Sequence, residues 1–254
     1  MSIWRSGFPL LAFAAAIAAA PPAAASGIGL DRVPYRVSIA GIGIGDLDLE
    51  LQREAERYAI RAEGSYRVLF WSGEVEGQVE GRIDAAGPRP QSFRLSNQDE
   101  DPSITEIEFD PTAGPVRWER NPPAPAEWSE GRMQLRDEHL VGALDPISAL
   151  ASISLIPAPV EATALCERDI RIFTGFVVFD LVLDGVERES PSSVACQARY
   201  RPLSGHRAGS KSVSRMSAPD AIEVSFLAHP DGAWVAERIA LPTSIGTLAL
   251  TIED

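Results

Sequence analysis

The chain reads as a mainly β protein: a curved antiparallel sheet or open β-barrel with one short helix packed on or inside it. Three observations predict this. Apolar and polar residues alternate along much of the chain, most clearly in Leu47-Asp48-Leu49-Glu50-Leu51, which puts leucines on one side and acids on the other. Turn-forming residues interrupt the alternation at short intervals. Helical spacing appears clearly in one place only, residues 144–154. A sheet of about twelve strands has edges to hide, and closing or covering it hides them.

The helix is written in Asp145-Pro146-Ile147-Ser148-Ala149-Leu150. The Asp145 carboxylate can accept the free N–H groups of a first turn. Pro146 falls where a missing N–H costs nothing. Ile147, Leu150, Ala151 and Ser154 then share one face, and Pro157 ends the pattern. Asp145 and Ser148 are candidate ligand contacts at that helix end.

The strands follow in order. Residues 35–39 alternate, and Gly41-Ile42-Gly43-Ile44-Gly45 is a glycine-rich bend. It contains a G-x-G, but no helical pattern follows it, so a phosphate cradle is not expected. Residues 58–68 form a strand in which Gly64 marks a bulge. Residues 73–83 alternate with glycines on one face, which implies a crowded or strongly bent sheet. Asp84-Ala85-Ala86-Gly87-Pro88 is a turn, and residues 91–97 and 104–109 are strands joined by an acidic tip at 98–102. That tip lacks the ligand spacing of a calcium loop. Residues 115–120 form a strand, and the proline-rich 121–126 is a loop rather than a domain linker. Phe176 to Leu183 is a buried strand, and Asp184-Gly185 is a turn. Residues 194–201, 222–226, 234–241 and 247–252 complete the sheet. His229-Pro230-Asp231-Gly232 turns the chain between the second and third of these.

The formal net charge is −13. Nucleic acid and anionic lipid head groups would both be repelled. Residues 1–25 read as a signal peptide. Arg5 precedes an apolar run from Phe8 to Ala20, and Ala23-Ala24-Ala25 offers a cleavage site before Ser26. This leaves residues 26–254 as a single β domain in the periplasm or outside the cell, with no later run able to span a bilayer. Only two cysteines occur, Cys166 and Cys196, and an oxidising compartment favours their pairing. The bridge would close a loop of roughly 30 residues, worth about 3–4 kcal/mol.

Catalytic signatures are missing. His139, His206 and His229 show no metal-ligand spacing, and no G-x-S-x-G elbow occurs. No metal or cofactor is expected. Residues 203–219, with His206, Arg207, Lys211 and Arg215, form the most basic loop in an acidic chain. They read as a mobile surface loop or an anion-holding patch, with His206 and Arg207 as further candidate contacts.

The leader, the opening Tyr-x-Val strand, Gly45, the D-P-x-S-A-L helix and the late Leu241-Pro242-Thr243 together resemble the DUF3108 family of exported bacterial envelope proteins. Cys166 and Cys196, followed by Tyr200-Arg201-Pro202-Leu203-Ser204-Gly205-His206, are similar to its alphaproteobacterial branch. The resemblance implies a mostly β exported protein and no particular activity. The chain departs from the family at Phe173-Thr174-Gly175-Phe176-Val177-Val178, where a basic segment is usual.

The expected role is non-enzymatic. A curved sheet with a helix across its mouth suits a lipid or glycolipid. One alternative is a protein-binding module of an envelope assembly, using a sheet edge or the aromatic pair Phe70-Trp71. The other is a polysaccharide hydrolase with paired carboxylates, for which no pair stands out.

Overall fold

The computed structural model describes residues 32–68, 71–156, 161–190, 192–229 and 233–253. The expected signal peptide, Pro157, Phe70 and Pro230 to Gly232 lie outside these residues, and of Trp71 only the backbone is described.

One antiparallel sheet of thirteen strands dominates, in the order β7-β6-β5-β4-β3-β2-β1-β13-β12-β11-β10-β9-β8. Its first half comprises β1 (Val33–Ile39), β2 (Ile42–Glu54), β3 (Arg57–Val68), β4 (Trp71–Asp84), β5 (Gly87–Gln98), β6 (Ser103–Asp110) and β7 (Gly114–Asn121). Its second half comprises β8 (Glu167–Phe173), β9 (Val178–Glu189), β10 (Ser193–Ser204), β11 (Ile222–Ala228), β12 (Trp234–Thr243) and β13 (Gly246–Ile252). The halves join where β1 pairs with β13. The sheet curls into a nearly closed barrel whose edges, β7 and β8, approach without pairing. There the Trp118 and Phe173 rings meet edge to face, 5.2 Å between centroids. Leu144 covers part of the β8 edge: its N–H donates to the Arg171 carbonyl at 2.9 Å, and its own carbonyl accepts from Phe173 N–H at 2.8 Å.

Four short helices are present among the described residues: α1 (Asp137–Leu140), α2 (Pro146–Ala151), α3 (Ala162–Leu165) and α4 (Lys211–Met216). The expected helix is α2. Asp145 Oδ1 accepts from the N–H of Ile147 at 3.0 Å and of Ser148 at 2.8 Å, as an N-cap should. The helix stops earlier than the spacing suggested. Ser152 turns its hydroxyl back onto the Ala149 carbonyl at 2.7 Å, which leaves Ser154 beyond the helical turns. Ser154 instead donates to the Trp234 carbonyl on β12 at 2.9 Å. α2 touches β3, β4, β8 and β12, so it lies inside the curl, between strands of both halves.

The inner face carries two buried clusters. The first contains Tyr35, Leu49, Ile60, Val79, Phe93 and Ile107, with Ile147 and Leu155 from the helical segment. The second surrounds the Cys166–Cys196 disulfide, which is formed as expected, and includes Leu165, Val194, Val224 and Phe226. Leu150 is half-buried against both.

Three local readings change. Gly64 is no bulge, because β3 keeps an unbroken register with β2 and β4. Its small size serves contact instead: a Cβ there would lie 3.0 Å from both the Asp46 carbonyl oxygen and Val75. Asp184-Gly185 is no turn but a point inside β9, where the register with β10 shifts and Gly185 takes φ +95. Residues 203–219 are no simple surface loop, since they divide among the end of β10, the buried His206 and α4.

Candidate functional site

The four residues singled out from sequence lie in three places. Asp145 and Ser148 are fully buried at the start of α2. The Ser148 hydroxyl lies 2.8 Å from that of Tyr58. Asp145 Oδ2 has no hydrogen-bond partner. Burial pushes the Asp145 carboxyl up to about 6, against the pull of donors from Ser148 and Ile147. His206 is also buried, its Nε2 3.1 Å from the Tyr200 hydroxyl and 3.2 Å from the Val178 carbonyl oxygen. Burial lowers its pKa, so the imidazole is neutral at pH 7. Arg207 faces outward and donates to the Glu127 carbonyl at 2.7 Å. The anion patch suggested by the basic loop is therefore dispersed: His206 points in, Arg207 points out, and Lys211 and Arg215 belong to α4.

A second polar group is the ion network of β8, β9 and β10. The Asp180 carboxylate, 1% exposed, accepts from Arg171 Nε at 2.8 Å and from Arg201 Nη2 at 2.6 Å. Arg201 also holds Asp169 at 2.6 Å. Burial pushes the Asp180 carboxyl up, but the two guanidiniums outweigh it and hold the group below its ordinary value. With its charge neutralised twice over, Asp180 is a tie between strands and a poor proton donor.

The outer face offers shallow clefts. One of about 340 Å³ is lined by Glu80, Arg94, Glu106 and Arg117 among others. Another, of about 630 Å³, includes Ser193, Glu223, Glu237 and Arg238. Most of these charges are committed to ion pairs, such as Arg117 with Glu108 and Arg238 with Glu223. Among the described residues, no group of His, Cys, Asp and Glu could hold a metal ion.

The feature that sequence reasoning missed is apolar. Register places Val37, Leu250 and Ile239 in one row across β1, β13 and β12, and Ile39, Leu248 and Leu241 in the next. All lie on the face that carries the buried clusters, yet all are only half-buried. Leu250 packs against the first cluster, and Ile239 and Leu241 against the second. Among the described residues, Val37, Ile39 and Leu248 pack against neither. The result is a strip of aliphatic side chains between two closed cores. α4 packs against β12 and β10, with Val213 and Met216 half-buried against the second cluster. Residues 239–252 contain no charged side chain, and that run was the signal available in sequence. What hid it was the pairing of β1 with β13, which no local pattern announces.

A family model described as "Protein of unknown function (DUF3108)" matches residues 34–253. No curated protein and no solved structure matches the chain.

Proposed function

We propose a role for a chain that belongs to the DUF3108 family, whose description assigns no activity: it holds the apolar part of a lipid or glycolipid along the strip of β1, β13 and β12. The observation that carries this reading is the half-buried row pair Val37, Leu250, Ile239 and Ile39, Leu248, Leu241. Apolar surface left between two dry cores gains free energy when an acyl chain covers it, at about 25 cal/mol per Å². The strip offers no nucleophile and no acid–base pair, which favours binding over catalysis. The leader pattern at residues 1–25 supports export to the periplasm, and N-terminal sequencing of the processed protein should then begin at Ser26.

Organic extraction of the purified protein followed by lipid mass spectrometry tests the reading. The wild type should carry lipid, and Ile239→Gln with Leu250→Gln should release it while the fold persists. A lipid-free wild type that also shows no rise in melting temperature with added phospholipid would refute it.

A second reading, binding of an envelope protein, is favoured by one observation. Among the described residues β7 pairs only with β6, and Val116, Arg117, Trp118 and Glu119 along it are exposed. A free edge can accept a strand from a partner. Site-specific cross-linking from position 117 in intact cells would capture that partner, and an empty result would remove the reading.

A further inference from the structure

Two hairpins end side by side at one end of the strip. The β1–β2 turn is Ala40-Gly41, with φ of +50 and +81, the tight form that suits a two-residue hairpin. The β12–β13 turn carries Ser244 and Ile245. The two tips are locked together: Ala40 N–H donates to the Thr247 carbonyl at 2.9 Å, and a Cβ on Gly246 would sit 2.7 Å from that of Ala40. From this joint tip Ile42 and Ile245 face solvent, 70% and 64% exposed. Charged residues make up 23% of the chain, yet residues 39–45 and 239–252 contain none. Behind the tip, Ile39, Leu248 and Leu241 begin the apolar strip.

We propose that the paired tips dock on a lipid bilayer, with Ile42 and Ile245 entering the boundary between head groups and acyl chains. Electrostatics selects the kind of surface. With a net charge of −13 and no Lys or Arg on either tip, the protein gains nothing from anionic head groups, so the partner is a zwitterionic surface met through apolar contact alone. Continuity with the strip selects a bilayer over a protein partner, because a tip seated among acyl chains opens directly onto a surface that would accept one. The proposal rests on the lipid-holding reading for its purpose, but its measurement is separate.

Flotation of the purified protein with phosphatidylcholine vesicles, with and without phosphatidylglycerol, provides the test. The wild type should float with pure phosphatidylcholine and gain nothing from phosphatidylglycerol. The Ile42→Asp/Ile245→Asp variant should bind at least about tenfold more weakly, since two exposed side chains lose their burial and gain charge. Both sites are exposed, so the variant should keep its melting temperature, and Ile42→Leu/Ile245→Leu should bind as the wild type does. Equal binding by the Asp variant overturns the proposal, as does a wild type that ignores neutral vesicles or needs phosphatidylglycerol. Tip-dependent self-association in sedimentation would overturn it too, by making a second copy the partner. A wild type that floats but yields no extracted lipid and gains no melting temperature from added phospholipid overturns the lipid-holding reading and leaves docking supported.

Discussion

Replacing Asp145 by Asn removes a buried charge while keeping the cap. Asn Oδ1 can accept the same two N–H groups, from Ile147 and Ser148, and Asn is as good an N-cap as Asp. In the wild type the folded carboxyl titrates at about 6, against 3.8 for an unperturbed aspartate. The folded protein therefore holds a proton that the unfolded chain has released over this window. Stability from this group is full below about pH 4, falls as pH rises to about 6, and stays flat above. At about 1.4 kcal/mol per pH unit, the loss is about 3 kcal/mol. The variant lacks this loss. Its new amide donors face the place where Oδ2 now has no partner, which costs about 1–3 kcal/mol at every pH. The clear reading is thus the difference in stability between variant and wild type, which should move by about 2–2.5 kcal/mol in the variant's favour from pH 4 to pH 7. Urea unfolding at half-unit pH steps measures it, and all other titrating groups cancel in the comparison. A difference that stays level from pH 4 to pH 7 would show that Asp145 is not destabilised by burial.

Other expectations concern the ties between elements. Arg201→Met removes one of the two guanidiniums on the buried Asp180 carboxylate and should cost about 2 kcal/mol at pH 7. The cost should shrink toward pH 4, because the deprived carboxyl takes up a proton; urea midpoints at the two pH values check this. Cys166→Ala/Cys196→Ala opens a bridge spanning 30 residues and should lower stability by about 3–4 kcal/mol. Both cysteines are fully buried, so a thiol titration of the native wild type in reductant should proceed only as fast as the protein unfolds. Gly77→Ala puts a Cβ 2.3 Å from Ile147 Cδ1 and should cost about 1–3 kcal/mol. Adding Ile147→Val removes that methyl and should recover part of the loss, which a double-mutant cycle of unfolding free energies would reveal.

Several elements were legible because their causes are local. The Asp145 cap, the alternation of Leu47 to Leu51 and the acidic tip at 98–102 all act within a few residues. At that tip, Asp99 accepts from Asn97 and the Asp101 N–H, which fixes the turn locally, and the Tyr66 hydroxyl on β3 adds a donor from outside it. The glycines of β4 also announced themselves: Gly77 makes room for Ile147 and Gly81 for the Tyr58 ring. β8 escaped notice although Ile170 and Ile172 alternate with charges, because the short helices around it break the pattern. Helices of four to six residues, such as α1, α3 and α4, span too few turns to show a period. The strip is the harder case. Each of its strands looks ordinary, and only the meeting of β1 with β13 brings Val37 beside Leu250. A basic composition at 203–219 likewise says nothing of the Val178 carbonyl that draws His206 inward.

The strand order has a consequence for how the molecule comes to exist. Apart from the β1–β13 junction, every ladder in the sheet links strands that follow one another along the chain. Joining the end of β13 to the start of β1, and cutting between β7 and β8, would leave every ladder between strands that follow one another along the chain. In the chain as it stands, two local meanders can form independently, and one late zippering event must find the other half. A permuted chain, spared that search, should refold faster to the same sheet.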